Sequence, residues 1–469
     1  MSLADAETAW TPPPRPEPPT LDPRAVRAYD IRGVVGVHLG PKDAYGLGLS
    51  YAELAHRRGL SRIAVGRDGR LSSPVMEPAL VAGLVDGGLQ VRRLGLCPTP
   101  IVSFAVREQG LDGGIMVTAS HNPSPENGFK ILLGAERIHG EALLELTRTP
   151  GRRRAGGSER RDRLQARYVD RLAAVGAGLK PLRVAWDSGN GATGRVVERL
   201  VRSLPGEHVL LNTRIDGRFP AHHPDPAVGD NLRQLQASVL EHGCDLGLAF
   251  DGDGDRIGVV DPEGEILWAD QHLLFLAEDL LTRRPGATVV GDVKSSRVLF
   301  EGVEARGGRA AMTPSGYVLV RERMKSEGAL LGGELSGHIF YADEWDGGDD
   351  ALYVAVRTLR ALSDSGRSLA DFRRGLPPTV ATPELRIPCP DRRKHEVVAE
   401  CARRLRDVGA EVDAACGLRV NTPDGWWLLR ASGTEPKLTV RCEAADAEGL
   451  RRLRAEVAAH LAEAGIALP

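Results

Sequence analysis

Lysine is scarce in this chain. Only seven of its 61 basic residues are lysines, so arginine serves almost wherever a surface needs positive charge. A lysine kept inside a glycine-rich loop therefore points to something an ammonium does and a guanidinium does not: a point charge on phosphate, or a proton with a tunable pKa. Lys130, Lys294 and Lys437 stand in such loops. Paired cysteines are missing as well. The six cysteines (Cys97, Cys244, Cys389, Cys401, Cys416, Cys442) never form a C-x-x-C pair, which argues against a zinc site and a disulfide framework and for reduced thiols. No stretch of about 18 apolar residues appears, and the opening "MSLADAETAW" has neither a basic n-region nor an apolar h-region. A soluble cytoplasmic protein is expected. Charge of one sign is not in excess either: 61 Lys plus Arg stand against 63 Asp plus Glu, a formal net charge of -2. No global field invites nucleic acid or an anionic membrane, although a local pocket can still be basic and take a small anion.

At 469 residues the chain is too long for one core, and three or four domains are expected. Residues 1–20 form a leader whose "TPPPRPEPPT" is Pro-rich and reads as extended and poorly ordered. From Arg62 the pattern is strand, helix, strand: "RIAVGRD", then a helix with Ser72 or Ser73 as N-cap, Pro74 in its first turn and Gly87 or Gly88 as its stop, then "QVRRLGL". The run "GGIMV" leads into "TASHNPSPENGFK", and "FKILL" opens another strand. The Arg- and Gly-rich "PGRRRAGGSERRDR" has no apolar period and reads as a solvated connection. Two further α/β layouts follow. The expected division is 21–162, 163–265 and 266–377 as α/β domains, then 378–469 as an α+β domain with strands at "ELRIP", "GLRVNT", "WWLLRAS" and "KLTVRCEA". Each α/β unit delivers a glycine-rich polar loop after an apolar strand, where functional loops of such sheets belong.

Four loops carry chemistry. In "DGDGDR" the carboxylates of Asp251, Asp253 and Asp255 alternate with glycines that let the backbone fold tightly, a compact oxygen cage for a hard cation such as Mg²⁺. An EF-hand would need Gly where Arg256 stands and Glu where Pro262 stands, and an aspartate-nucleophile phosphatase would carry Thr or Val in place of Asp255. A merely solvated acidic turn is disfavoured because like charges so close repel unless neutralised. In "LRASGTEPK" a guanidinium, two hydroxyls, a close-approach glycine and an ammonium make a set of phosphate donors, where a plain hairpin would explain only Gly433 and Pro436. "GGELSGH" supplies Glu334, Ser336 and His338, able to take sugar hydroxyls, yet in isolation it reads more readily as a turn with an incidental Glu. In "TASHNPSPENGFK", Ser120 beside small Ala119 is a natural carrier of a phosphoryl group, with His121 and Asn122 to orient it; the bland alternative is an Asx or Ser turn ahead of Pro123.

Together these segments resemble the α-D-phosphohexomutases, and within them the bacterial phosphomannomutase/phosphoglucomutase type. The match runs over nearly the whole chain after the leader: "RAYDIRG", "TASHNP", "NGFK", "DGDGDR", "DVK", "GGELSGH" and "RASGTEPK", all in the family's order. The resemblance implies three similar α/β domains plus a C-terminal α+β domain around a central cleft. It makes Ser120 a phosphoserine, and Asp251, Asp253 and Asp255 the ligands of a Mg²⁺ that also touches the serine phosphate. Arg256, Arg32, Tyr29, His121, Lys130 and Lys294 would line the reaction centre. Glu334 and Ser336, with His338 beside them, match the sugar-hydroxyl readers; Arg430, Ser432, Gly433 and Thr434, with Lys437, match the loop that holds the substrate's phosphate. The implied reaction interconverts hexose 1-phosphate and hexose 6-phosphate of mannose and/or glucose through a hexose 1,6-bisphosphate, by a monomer or dimer that takes a small phosphosugar. Two departures concern the sugar. The phosphate loop has Gly433, Thr434 and Glu435 where the mannose and glucose type is expected to show variants such as Asn-Thr, and Tyr317 stands where His is common. Phosphoglucosamine mutase is the nearest alternative, and a Mg-dependent sugar phosphatase a more distant one.

Overall fold

A computed structural model of the chain describes residues 22–468, apart from 135, 346, 408, 410–411, 414–416 and 433–435. The Pro-rich leader and Cys416 thus lie outside the described residues. The chain divides into two compact units, one made of the residues up to Ala269 together with Ser336–Ala370, the other of Asp270–Leu335 and the residues from Asp371 onward.

The first unit contains two sheets. In the first, the strands run in the order Ile31–Val34, Glu126–Leu133, Gly113–Val117, Arg62–Arg67, Gln90–Leu96 and Ser158–Arg161. Gly113–Val117 is buried at every position, as a strand covered on both faces must be, and it lies parallel to Arg62–Arg67. The carboxyl ends of these two strands are therefore side by side. Gly113–Val117 also pairs antiparallel with Glu126–Leu133, Met116 opposite Lys130 and Val117 opposite Phe129, so the segment 118–125 is the return between them. The helix Ser73–Asp86 follows Ser72, has Pro in its first turn and stops at Gly87, where the sequence places these signals. Its Leu80 and Leu84 join Leu47, Tyr51, Ile63 and Ile115 in one core.

One expectation is corrected here. The connection after Pro150 contains a strand, Ser158–Arg161, paired in parallel with Gln90–Leu96 at the sheet edge. All four of its residues are exposed, so no apolar alternation announces it, and its charges blunt an open edge.

The second sheet of this unit sets Leu246–Phe250 parallel to Leu182–Asp187 and antiparallel to Ile257–Val260, with Phe250 opposite Ile257. The segment 251–256 is the turn between two strands. The helix at "NLRQLQASVLEHG" begins as a 3₁₀ turn, Gly229–Leu232, and continues as Arg233–His242, ended by Gly243 at φ 59°. Helix Ala351–Ser365, N-capped by Asp350, also belongs to this unit.

In the second unit Thr288–Asp292 lies parallel to both Arg309–Thr313 and Leu331–Gly333. The C-terminal sheet is antiparallel: Leu418–Thr422, Gly425–Ala431 and Lys437–Ala444 pair in sequence, and Leu385–Pro388 joins the last. Helices Asp391–Asp407 and Ala447–Glu463 cover it through Val397, Cys401, Leu453 and Val457. The architecture is the α/β class expected, three α/β sheets and a C-terminal α+β domain. The five described cysteines are buried free thiols. Among the described residues no helix is long and apolar enough to cross a membrane.

Candidate active site

The first unit brings the serine loop and the acidic loop together. Ser120 sits just past the strand Gly113–Val117, fully buried, with φ at 54°, a left-handed backbone that a non-glycine residue adopts only when its surroundings impose it. Its amide donates to Thr118 Oγ1 at 2.9 Å, and Thr118 donates its own hydroxyl to Asp68 Oδ2 at 2.7 Å. Its hydroxyl donates to Asp251 Oδ2 at 2.6 Å, and His121 Nδ1 lies 3.2 Å from the same oxygen. Because the only hydroxyl proton is directed at Asp251, the His121 contact is satisfied by a ring carrying its proton on Nδ1. Burial, then the neighbouring Arg256, Arg32 and Lys130, holds the His121 pKa well below its ordinary value, so the ring is neutral. Gly252 makes the approach of the two loops possible: a Cβ there would stand 2.4 Å from the Ser120 carbonyl oxygen.

The three carboxylates differ in their surroundings. Asp251 Oδ1 accepts backbone N–H groups of Gly254, Asp255 and Arg256 at 2.9, 3.0 and 3.2 Å. Burial and the adjacent Asp253 and Asp255 push its pKa well up. Burial pushes Asp253 and Asp255 up too, but Lys130 brings both below the usual carboxylate value. The Lys130 ammonium, itself buried, donates to Asp253 Oδ2 at 2.7 Å and to Asp255 Oδ2. Thr99 donates its hydroxyl to Asp253 as well. Ligand oxygens of Asp251, Asp253 and Asp255 lie within 4.8 Å of one another. Asp253 Oδ1 and Asp255 Oδ1 are buried and accept no hydrogen bond among the described residues. An all-oxygen set with two acceptors to spare fits a hard divalent cation.

Arg32 reaches the serine loop, donating to Asn122 Oδ1 at 2.8 Å and to the Ala119 carbonyl at 3.3 Å, while Asp30 holds its other side. Arg256 donates Nε–H to His338 Nε2 at 3.0 Å. A neutral His338 then keeps its proton on Nδ1, which faces Asp349 Oδ2 at 3.4 Å and Asp255 Oδ1 at 3.8 Å. His338 is thus placed against the acidic loop. Tyr29 packs near His139, ring centroids 6.2 Å apart. Ser336 lies in this unit too.

The second unit carries the remaining residues. Glu334 is buried and accepts the Gly316 N–H at 2.7 Å. Gly316 is the N-cap of the helix Tyr317–Glu327, so Tyr317 opens that helix and is buried. Lys294 lies 3.7 Å from Glu384 Oε2. Arg430 is the penultimate residue of the strand Gly425–Ala431, and its Nε is buried with no hydrogen-bond partner among the described residues. Ser432 accepts at its carbonyl from Lys394 Nζ at 2.6 Å and donates its amide to the Lys437 carbonyl at 2.9 Å. Gly433 and Thr434 lie outside the described residues.

Four family models match in chain order: phosphoglucomutase/phosphomannomutase alpha/beta/alpha domain I over residues 23–143, domain II over 166–264, domain III over 268–380, and the C-terminal domain over 384–460. The chain belongs to the phosphoglucomutase/phosphomannomutase family. It is 41% identical over 441 residues to a phosphomannomutase/phosphoglucomutase of Pseudomonas putida, covering 93% of this chain and 95% of that one. It is 40% identical over 436 residues to a phosphoglucomutase of Neisseria gonorrhoeae, covering 91% and 94%. A crystal structure of a phosphoglucomutase/phosphomannomutase family protein from Burkholderia thailandensis superposes with a TM-score of 0.89 at 37% identity, covering 96% of this chain and all of that one.

Within each unit, several residues that hold the predicted loops are not evident from those loops alone. Thr99, Asp68, Asp349 and Lys394 act across 154, 50, 94 and 38 residues respectively, on Asp253, Thr118, Asp255 by way of His338, and Ser432. For Asp68 a signal exists, a polar "GRDGR" at the carboxyl end of an apolar strand. For Lys394 the signal is the rarity of lysine.

Proposed function

We propose that the chain is a phosphohexomutase that interconverts hexose 1-phosphate and hexose 6-phosphate, of mannose and/or glucose, through a phosphoserine at Ser120 and a hexose 1,6-bisphosphate. The observation that carries this reading is Ser120 itself: a buried hydroxyl in a left-handed backbone, 2.6 Å from one of three clustered carboxylates. A turn needs none of this. The relatives named phosphomannomutase/phosphoglucomutase and phosphoglucomutase support the same class.

Asp251, Asp253 and Asp255, with the serine phosphate, would hold Mg²⁺, which when bound supplies charge neutralisation and polarises the phosphoryl oxygens. Phosphoryl transfer asks chiefly for positioning and charge stabilisation, and this chain provides cations for it in Arg32, Arg256 and Lys130. As the Ser120 Oγ–P bond breaks, the sugar hydroxyl oxygen bonds to the same phosphorus and its proton passes to a base, a role we assign to Lys294, with Tyr317 donating a hydrogen bond. The departing serine oxygen takes a proton from Asp251 Oδ2, 2.6 Å away, with His121 Nδ1–H donating to it, and that proton returns to Asp251 when Ser120 retrieves the second phosphoryl group. The bisphosphate then turns end over end and returns its other phosphoryl group to Ser120. Glu334 and Ser336 read hydroxyls that stay roughly in place, while Arg430, Ser432, Gly433, Thr434 and Lys437 read only phosphate and so accept either end. Tyr29 and His338 complete the set. The protein acts in the cytoplasm as a monomer or a dimer.

The test is a mutase assay of the purified protein with mannose, glucose and glucosamine 1-phosphates, each with a trace of the matching 1,6-bisphosphate. Isomerisation of the mannose or glucose ester is expected. Turnover of the glucosamine ester alone would mark a phosphoglucosamine mutase, and release of inorganic phosphate without isomerisation would replace the reading with a phosphatase.

A further inference from the structure

Arg70 is fully buried, and neither its charge nor its place follows from the motif residues. It stands just beyond the strand Arg62–Arg67, whose carboxyl end lies beside that of Gly113–Val117. Nη1 donates to the carbonyls of Pro123 at 2.8 Å and Glu126 at 3.0 Å; Nη2 donates to those of Ser120 at 2.8 Å and Asn122 at 2.6 Å. All the terminal N–H groups of the guanidinium are thus spent on the serine loop. Asp68 faces Nε at 3.2 Å, so the buried charge has its counter-ion. The same carboxylate holds Thr118, which holds the Ser120 amide. Ser120 is therefore gripped at both of its peptide groups, at N–H through Thr118 and at C=O by Arg70. Removing that grip frees the residue to leave a left-handed conformation that is unfavourable for a side chain with a Cβ.

A second segment closes over the guanidinium. The Phe219 ring lies 5.2 Å from Arg70 Cζ, within cation–π distance, and Phe219 itself has φ 52°. Ser124 donates its hydroxyl to the Gly217 carbonyl at 2.6 Å, and a Cβ on Gly217 would stand 2.5 Å from the Gly69 carbonyl oxygen. The arm 212–220, which follows the strand Gly206–Leu211 of the neighbouring sheet, thus packs directly on the turn that carries Arg70.

We propose that Arg70 is a positioning residue for phosphoryl transfer: its planar fork fixes the Ser120 backbone, and Phe219 holds the fork from the other side. The proposal rests on the mutase reading above. A lysine keeps the charge but has three donors on a tetrahedral nitrogen and cannot reproduce four convergent bonds from one plane. If the role is geometry, Arg70→Lys fails nearly as badly as Arg70→Met; if it is charge alone, Arg70→Lys keeps activity.

The experiment compares Arg70→Lys, Arg70→Met and Phe219→Leu with the unaltered protein in the mutase assay, alongside hydrogen–deuterium exchange of the peptide spanning residues 118–128. Both Arg70 variants should lose about 100-fold in kcat with KM changed by less than about threefold, the effect expected of a misplaced reacting atom. Phe219→Leu should lose about tenfold in kcat. Exchange in 118–128 should quicken in all three variants while that in 425–431 stays unchanged, a readout that survives even if a variant is inactive. Unaltered kcat in Arg70→Met, or unaltered exchange in 118–128, overturns the inference. An unaltered protein with no isomerase activity would overturn the mutase reading instead, and the exchange result would still decide whether Arg70 fixes the loop.

Discussion

Ser120 and Ser432 differ in what holds their backbone groups. Around Ser120 the backbone carbonyls of residues 120, 122, 123 and 126 are all spent on one buried arginine, and the Ser120 amide is bound through Thr118. At Ser432 the carbonyl accepts from Lys394 Nζ and the amide donates to the Lys437 carbonyl, while Arg430 Nε has no hydrogen-bond partner among the described residues. A group that must place one oxygen within tenths of an ångström of a phosphorus needs a rigid seat. A group that must take a phosphate from either end of a sugar needs donors kept in reserve. The two serines, each directly after an alanine, thus differ in the hydrogen bonds that hold the backbone around them.

The largest contrast is expected at the serines themselves. Ser120→Ala removes the phosphoryl carrier and should lower turnover by at least about 10³-fold, whereas Ser432→Ala should weaken binding of the 1-phosphate and the 6-phosphate by similar factors of about ten. Steady-state kinetics with each isomer, with intact-mass analysis for an acid-stable phosphate, reads both. If Ser432→Ala affected one isomer alone, the phosphate loop would be tied to one orientation and the contrast would collapse.

Lys130 tests how far the serine side depends on neutralised charge. Replacing it by Met leaves Asp253 and Asp255 buried without their ammonium, and breaking such a pair costs about 3–5 kcal/mol. In EDTA-treated protein the Lys130→Met variant should therefore melt well below the parent, and added MgCl₂ should raise its Tm more than it raises the parent's. Equal shifts would show that the ammonium and the cation do not draw on the same carboxylates.

Lys394→Met sharpens the comparison from the other side. Lys394 lies 2.7 Å from Asp391 and donates to the Ser432 carbonyl, so its loss should raise KM about tenfold, the worth of one charge-assisted hydrogen bond, and leave kcat within about threefold. Arg70→Met should do the reverse. A kcat defect in Lys394→Met as large as that of Arg70→Met would mean that both loops are seats for the reacting atoms.

What was legible in the sequence follows the same division. Residues that present chemistry, Ser120, Asp251, Asp253, Asp255 and Lys130, stand in short runs whose composition is improbable for a turn, and the structure brings these five together. The continuous run of Gly113–Val117 and the helical pattern of Ala447–Glu463 were equally readable. Residues that hold the loops were not. Arg70 acts on carbonyls 50 to 56 residues away, and an arginine in a chain that uses arginine almost everywhere carries no signal of burial. The edge strand Ser158–Arg161 escaped for a related reason, since a strand with no buried face has no period to show.

The smallest effect concerns the arm beyond Phe219. His222 Nδ1 faces the His223 carbonyl at 3.0 Å and Nε2 faces Asp187 Oδ2 at 2.8 Å, so both ring nitrogens meet acceptors and only the protonated ring satisfies both. Burial alone would lower its pKa, but the bond to Asp187 outweighs burial and raises it. A histidine raised above its unfolded value of about 6.5 adds stability that is fully present below that pH and is lost as pH climbs through the higher folded value. His222→Gln keeps a donor but cannot titrate. The parent should therefore exceed this variant in Tm by about 2 °C below pH ~6.5, a shift typical of a fraction of a kcal/mol in a domain of this size, and the gap should close as pH rises. Exchange in 118–128 should change over the same pH range if the arm steadies Arg70 through Phe219. A constant Tm gap across pH would remove the ion pair as the arm's anchor. A closing gap with no change in exchange would confine the serine loop's support to Arg70 and Asp68, making its rigidity local to one sheet.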